Sequence, residues 1–445
     1  MNGFTEERMK KRFLALGLAV LSAATLTLAQ GGRTTVTFWY ALGGSIGEQI
    51  ELLVKNYNSS QDKVTIKAEF SGNYDDTLNK MRAALQAGKG YPNVVQVYDI
   101  GTRFMVDSGA VVALEDMAKK ENFDISKLVS QPRNYYTVDG KMYSLPFNSS
   151  NPLLYFNASA LSSSKVEQRP FYNLAQLEDT IKRLTVKDAS GKTSRYGITW
   201  HADSWFVEQF GYNSGQAYCN FENGRKARAT ETTFNNPAAV AFLEMMGRLV
   251  SGGFAAPVGR DGTASLNTFV NGQAAIYVSS TANLFGATRA VGGKFPIRTS
   301  FYPFLKERNG VAIGGASLWM LKGFTETEQD GAFSFIKWML EPTTQGRWHL
   351  NTGYFPVIQG VTKTPLVQTG HSKNQNFITA IRQLETSKVN TTSAGCLMGQ
   401  FTEIRTYVVS AWEEVLKGKP AKQALDEAKV KSDAALQRYN ATVAR

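Results

Sequence analysis

The sequence predicts an α/β fold spread over more than one globular unit, and three observations carry that reading. The chain has 445 residues, which at roughly 150 residues per unit is enough for two or three. Its N-terminal third alternates short β-rich runs with helical periodicity, the pattern that builds parallel sheets through crossover helices. The same alternation starts again at about residue 174. With 43% hydrophobic and only 19% charged residues, there is ample apolar material for packed cores, which excludes global disorder.

The elements follow in order. Residues 36–40 are β-branched and aromatic, and Gly43-Gly44 breaks the run. Ile46, Ile50, Leu53, Val54 and Tyr57 then recur at helical spacing. Residues 64–70 alternate as a strand, residues 74–87 read as a helix ending near Gly88, and residues 93–98 form an apolar strand after Pro92. In the second region a helix is expected over 174–184 and a strand over 196–200. Asn236-Pro237 opens a helix carrying Val240, Leu243, Met246 and Val250, an N-cap with proline in the first turn. A helix closes at residues 269–272, and strands follow over 274–278 and 317–321. A helix covers 327–340, and two more lie between 405 and 439, separated by Gly418-Lys419-Pro420. The sequence contains neither an internal repeat nor a low-complexity tract.

The N-terminus bears on function. Lys10-Lys11-Arg12 precedes an apolar run over 13–28 and then Thr27-Leu28-Ala29, the three parts of a secretory signal peptide spanning residues 1–29. At about 16 residues the run falls short of the roughly 20 needed to cross a bilayer. Met9 beside the basic cluster is an alternative start to Met1. No cysteine stands at the end of the run, so no lipid anchor is expected there. Export to the periplasm or beyond removes the chain from ATP and nicotinamide pools, and no cofactor is expected.

Lysine and arginine outnumber aspartate and glutamate by 49 to 37, but the excess is scattered, which argues against nucleic acid as a partner. Two cysteines cannot make a disulfide framework; Cys219 and Cys396 either pair in an oxidising compartment or stay as buried thiols. His201, His349 and His371 have no metal-ligand spacing, and no metal site is expected.

Two motifs suggest chemistry. Gly43-Gly44-Ser45-Ile46-Gly47 fits the G-x-S-x-G elbow of a secreted serine hydrolase using Ser45, between a strand and a helix. The first-strand position and the lack of a marked histidine favour another reading. In it, a glycine-rich turn with a capping serine leaves the helix N-terminus open to a polar ligand. Polar and aromatic residues also recur at strand ends: Tyr40, Tyr74, Asp99, Ser149-Ser150, Trp200, Trp205, Ser279-Ser280, Gly314-Gly315 and Tyr354. Ligands of open α/β sheets sit at strand ends, and aromatic faces with acidic and hydroxyl partners suit a polyhydroxylated molecule.

A family resemblance joins these residues. Phe38-Trp39-Tyr40, Ser71-Gly72-Asn73-Tyr74, residues 94–99, residues 145–150, residues 313–319 and residues 352–356 fall in the order of the extracellular solute-binding proteins of ABC importers. Their wording resembles the glycerol-3-phosphate branch, and the likeness runs from about residue 34 to residue 439. It implies a two-lobe periplasmic-binding-protein fold, type II-like, with a mostly parallel sheet in each lobe and a hinge between them. Lobe 1 is expected over residues 30–146 and about 304–345, and lobe 2 over 147–303 and about 346–445.

The resemblance also implies a non-enzymatic, monomeric protein. It would pass glycerol-3-phosphate or a glycerophosphodiester to a membrane permease driven by a cytoplasmic ATPase, with a neutral sugar or polyol as the alternative. By match to the branch, Tyr74, Asp99, Ser150, Ser280, Gly315 and Tyr354 contact the ligand, with Trp205 as an aromatic wall; Tyr40 joins them from the strand-end reading. The branch grips phosphate with an arginine before its C-terminal helices. The matching residues 393–399 hold no basic residue, which weakens the case for phosphate. Arg405 is read as a helix-face residue.

Overall fold

A computed structural model of the chain describes residues 32–443; the expected signal peptide lies outside the described residues. In chain order the strands are β1 (Thr34–Tyr40), β2 (Val64–Phe70), β3 (Val94–Tyr98), β4 (Val111–Val112), β5 (Thr137–Val138), β6 (Lys141–Met142), β7 (Leu145–Ser150), β8 (Pro152–Asn157), β9 (Val186–Lys187), β10 (Thr193–Thr199), β11 (Ala274–Ser280), β12 (Ile297–Phe301) and β13 (Gly314–Leu321). They form two main sheets and the hairpin β5–β6.

The first sheet has the order β2-β1-β3-β13-β4, with β7 also paired to β13. The second runs β12-β8-β11-β10-β9. Where a helix links strands within one lobe they pair in parallel, as β1 does with β2 and β3, and β10 with β11, whereas β9 and β10, joined by a turn, are antiparallel. The expectation of mostly parallel sheets is corrected elsewhere. β13 is antiparallel to β3, β4 and β7, and β8 is antiparallel to β11 and β12. These strands arrive from the other lobe, so no crossover helix on the same sheet dictates their direction.

The passage from β7 to β8 is one residue, Asn151, fully buried. Its side chain donates to Ala380 O (2.9 Å) and accepts from Gln383 Nε2 (3.0 Å), tying this crossing to the helix Asn376–Glu385. The chain returns between β12 and β13 and crosses again ahead of Asn376–Glu385, which packs on β12.

The lobe boundaries therefore move. β7 belongs whole to the first sheet, so the division falls at Asn151 rather than residue 147. Trp348, Tyr354, Phe355, Val357, Val361 and Val367 are buried with β1 and β7 in the first lobe's core, so the stretch after residue 346 is not yet second lobe. The aromatic and β-branched residues there are needed to cover the first sheet. The C-terminal helices Phe401–Leu416 and Ala421–Val443 pack on each other and on Pro237–Ser251 in the second lobe. Asn236 caps that last helix, accepting from Ala238 and Ala239 N, as its sequence predicts. Among the described residues no helix is long and apolar enough to cross a membrane.

Candidate functional site

A cavity of about 260 Å³ opens between the lobes, lined by Tyr74, Asp99, Ser150, Trp205, Ser280, Gly315 and Tyr354 together with Leu42, Ile46, Tyr98, Asp203, Ala282, Asn283 and Arg405. A second space of about 400 Å³ adjoins it and shares Leu42, Tyr74, Tyr98, Asp203 and Arg405. Seven of the eight residues singled out from the sequence thus meet on one surface.

The first lobe orients Tyr74 through a buried polar chain. Asn73 caps the helix Tyr74–Ala87 in a reciprocal capping box with Asp76, which sets Tyr74 in the first turn. The Tyr74 hydroxyl accepts from Asn148 Nδ2 (2.8 Å), whose Oδ1 accepts from Gln96 Nε2 (2.8 Å), and Gln96 Oε1 accepts from Ala41 N (2.9 Å). Tyr74 also stacks on Tyr98, with ring centres 5.1 Å apart. Burial holds the Tyr74 phenol well above its ordinary value, so it remains a neutral donor.

Tyr354 lies flat on Trp348, centres 5.6 Å apart at 9°. Gly315 has φ +98°, and a Cβ there would overlap the carbonyl oxygen of Asn148. A side chain is therefore excluded where β13 meets β7. A Cβ on Gly314 would press on the Trp205 indole, so the glycine pair seats that ring as well. The Trp205 indole N–H is buried with no acceptor among the described residues, a donor that a ligand can satisfy.

Charge concentrates at Asp99. Its carboxyl, 6% exposed at the end of β3, is pushed up to about 7 by burial, with Arg405 pulling down and Glu208 pushing up. Arg405 Nη2 lies 3.8 Å from Asp99 Oδ2. Its Nε and Nη2 each donate at 2.8 Å to the two oxygens of Glu208, which is 2% exposed. Burial opposes charge on Arg405, but Glu208 and Asp99 outweigh it and hold the guanidinium well above its ordinary value.

Four expectations change. Tyr40 is not on this surface: its ring packs on Phe38 and Phe70 and its hydroxyl donates to Glu51 Oε1 (2.7 Å). Strand alternation turns it, with Phe38, into the first lobe's core, and Leu42, past the strand end at φ +76°, takes the cavity position. Residues 393–399 are no phosphate corner; Cys396, Leu397 and Met398 are buried, and none of these residues lines either space. Cys396 is bonded to Cys219.

A basic residue that does line the cavity is Arg405, one turn into the following helix. Its signal was present: Phe401, Ile404, Val408, Ala411 and Trp412 form the buried stripe, and Arg405 falls within it at i+4 from Phe401. Glu208 had a similar one, as the single acid in the apolar helix Ser204–Asn213. Ser45 does not cap its helix, whose N-cap Gly43 makes no side-chain bond. Ser45 is exposed, while the ring nitrogens of His349 bond Tyr354 O (2.7 Å) and His371 Nε2 (2.8 Å). Among the described residues no group of histidine, cysteine and carboxylates is arranged to hold a metal ion.

The family model for bacterial extracellular solute-binding proteins matches residues 53–374, most of the chain. The chain is a bacterial extracellular solute-binding protein. As such it is the receptor component of an ABC importer, taking a small polar molecule and presenting it to permease subunits.

The binding protein is 29% identical over 437 residues to the sn-glycerol-3-phosphate-binding periplasmic protein UgpB of Escherichia coli (strain K12), covering 96% of each chain. The Salmonella typhimurium (strain LT2) protein of that name is also 29% identical, over 96% of this chain and 98% of its own. Among solved structures it resembles UgpB from Mycobacterium tuberculosis in complex with glycerophosphocholine, with a TM-score of 0.76 at 20% identity over 92% of this chain and 100% of that one. The GacH receptor of Streptomyces glaucescens, solved unliganded and with acarbose, gives 0.75 at 17% identity over 91% and 99%. These structures share the two-lobe fold.

Proposed function

We propose that the binding protein captures glycerol-3-phosphate or a glycerophosphodiester in the interlobe cavity and delivers it to the permease after the lobes close. The observation that carries this reading is Arg405. It is a cation lining a cavity that also presents hydroxyls, two carboxyl groups and aromatic rings. A guanidinium supplies the charge-assisted bond that a phosphate needs. Asp99, Ser150 and Ser280 match glycerol hydroxyls, Gly315 opens the backbone to close approach, and Tyr74, Trp205 and Tyr354 form the aromatic walls. The names of the Escherichia coli and Salmonella typhimurium relatives support the same ligand class. Closure fits two lobes joined by short crossings, because the ligand supplies the contacts that favour the closed state.

A neutral sugar is the second reading, favoured by the three aromatic walls. A calorimetric panel of glycerol-3-phosphate, glycerophosphocholine, maltose and inorganic phosphate separates the two. At 100 times its dissociation constant the true ligand stabilises the fold by about 2.7 kcal/mol. Binding of maltose with no response to either glycerol phosphate overturns the first reading. Export through a signal peptide over residues 1–29 belongs to the same proposal, and N-terminal sequencing of the secreted protein tests it.

A further inference from the structure

The charges around Arg405 do not add up to a site for a dianion. Glu208 occupies Nε and Nη2 of the guanidinium, leaving Nη1 as its one nitrogen without a protein partner among the described residues. Glu208 therefore takes one side of the guanidinium, and the Nη1 side is the one left for a ligand. Glu208 is in turn fixed from behind: Ser204 Oγ donates to its Oε1 (3.0 Å), and Tyr218 Oη lies 3.2 Å from Ser204 Oγ. The nearly complete burial of Glu208 keeps solvent from screening it. Asp203 lines the cavity as well, and Asp99 stands 3.8 Å from Arg405. One cation thus faces several carboxyl groups.

We infer that Glu208 is a positioning residue that also sets specificity. It holds one side of Arg405, leaves the Nη1 side to the ligand and cancels the arginine's charge, so that the cavity favours a phosphate bearing one negative charge over one bearing two. This rests on the glycerol phosphate reading and assigns its charge class. A phosphodiester meets the requirement; a phosphomonoester at neutral pH brings a second charge that the site leaves uncompensated.

The test is a ratio of affinities. Dissociation constants for glycerophosphocholine and glycerol-3-phosphate are measured by calorimetry on the wild type, Glu208→Gln and Glu208→Asp. Glu208→Gln should shift the ratio toward glycerol-3-phosphate by on the order of tenfold, because removing one negative charge helps a dianion more than a monoanion. Glu208→Asp, which keeps the charge, should retain the wild-type preference. A purely structural role would weaken both ligands together, so an unchanged ratio in folded Glu208→Gln overturns the inference.

If that variant does not fold, ¹⁵N spectra of the wild-type arginine side chains decide. The Arg405 Nε–H signal, assigned through Arg405→Lys, should stay protected when glycerophosphocholine saturates the site. Its exchange on ligand addition would mean that ligand displaces Glu208, contrary to the inference. If neither compound binds the wild type, the ligand reading falls separately. The same signal in the free protein then tests the positioning role: protection supports it, and rapid exchange overturns it.

Discussion

Cys219 and Cys396 are bonded, and the bond joins the segments flanking the two helices that carry the charged pair of the cavity. Cys219 follows Ser204–Asn213, which holds Glu208, while Cys396 precedes Phe401–Leu416, which holds Arg405. Next to the bond, Tyr218 stacks on Phe401 (5.5 Å) and contacts Ser204, and Cys396 N donates to the Tyr212 hydroxyl (3.1 Å). The geometry of Arg405 is thereby fixed by a covalent link across 177 residues of chain.

Opening this link should be costly. For so long a loop the chain-entropy model sets about 5 kcal/mol as an upper figure, and roughly 2–5 kcal/mol is usual for a native disulfide. Denaturant unfolding of Cys219→Ser/Cys396→Ser, or of the wild type with a reductant, should show a loss in that range together with weaker ligand binding. Unchanged stability on full reduction would contradict it.

Asp99 should matter to the ligand more than to the fold. Asp99→Ala is expected to lose roughly 1.5–3 kcal/mol of binding free energy, the worth of a hydrogen bond to a charged group, while the protein stays folded. Calorimetry alongside a melting curve measures both.

The pH dependence follows from the same carboxyl. Its folded value, raised from 3.8 to about 7 chiefly by burial, means that between those values the native state holds a proton that the unfolded chain has released. Stability should therefore fall as pH rises through this window, at up to about 1.4 kcal/mol per unit. Asp99→Asn should remove that slope and melt higher than the wild type at pH 8. A wild-type profile flat or rising across the window, with no difference in the variant, would contradict this.

Removing Arg405 alone should be severe. Arg405→Met leaves Glu208 and Asp99 buried without their cation, a loss of about 3–5 kcal/mol. Adding Glu208→Gln should return much of the stability but none of the phosphate affinity. Equal melting temperatures for Arg405→Met and the wild type would show that the pair contributes little.

Gly315→Ala should fail for a steric reason. At φ +98° the new methyl would meet the Asn148 carbonyl, so β13 and β7 would have to separate. Reduced soluble yield and lost binding are expected, and a normally stable Gly315→Ala protein would show that the junction gives way.

The sequence by itself determined the α/β class, the first-lobe succession of strand and helix and the export-like N-terminus, because those signals are local. It also named half of the cavity lining. Tyr74 follows its own capping residue, Asp99 and Ser150 end strands, and Gly315 lies where only glycine fits, so each carries its cue in its neighbours. The strands β7, β8 and β12 were harder to read, since Pro146 and Pro152 interrupt the usual strand pattern and β7 runs straight into β8 of the other lobe.

Tertiary structure alone decided the direction in which crossing strands pair, the lobe that receives residues 346–367, and the partnership of Arg405 with Glu208. Those two residues stand 197 positions apart, and periodicity speaks only for neighbours a turn or two away. An arginine within an apolar stripe shows that a buried charge must be matched; which carboxylate matches it, and which side of the guanidinium stays free, is settled only when the two helices are brought together.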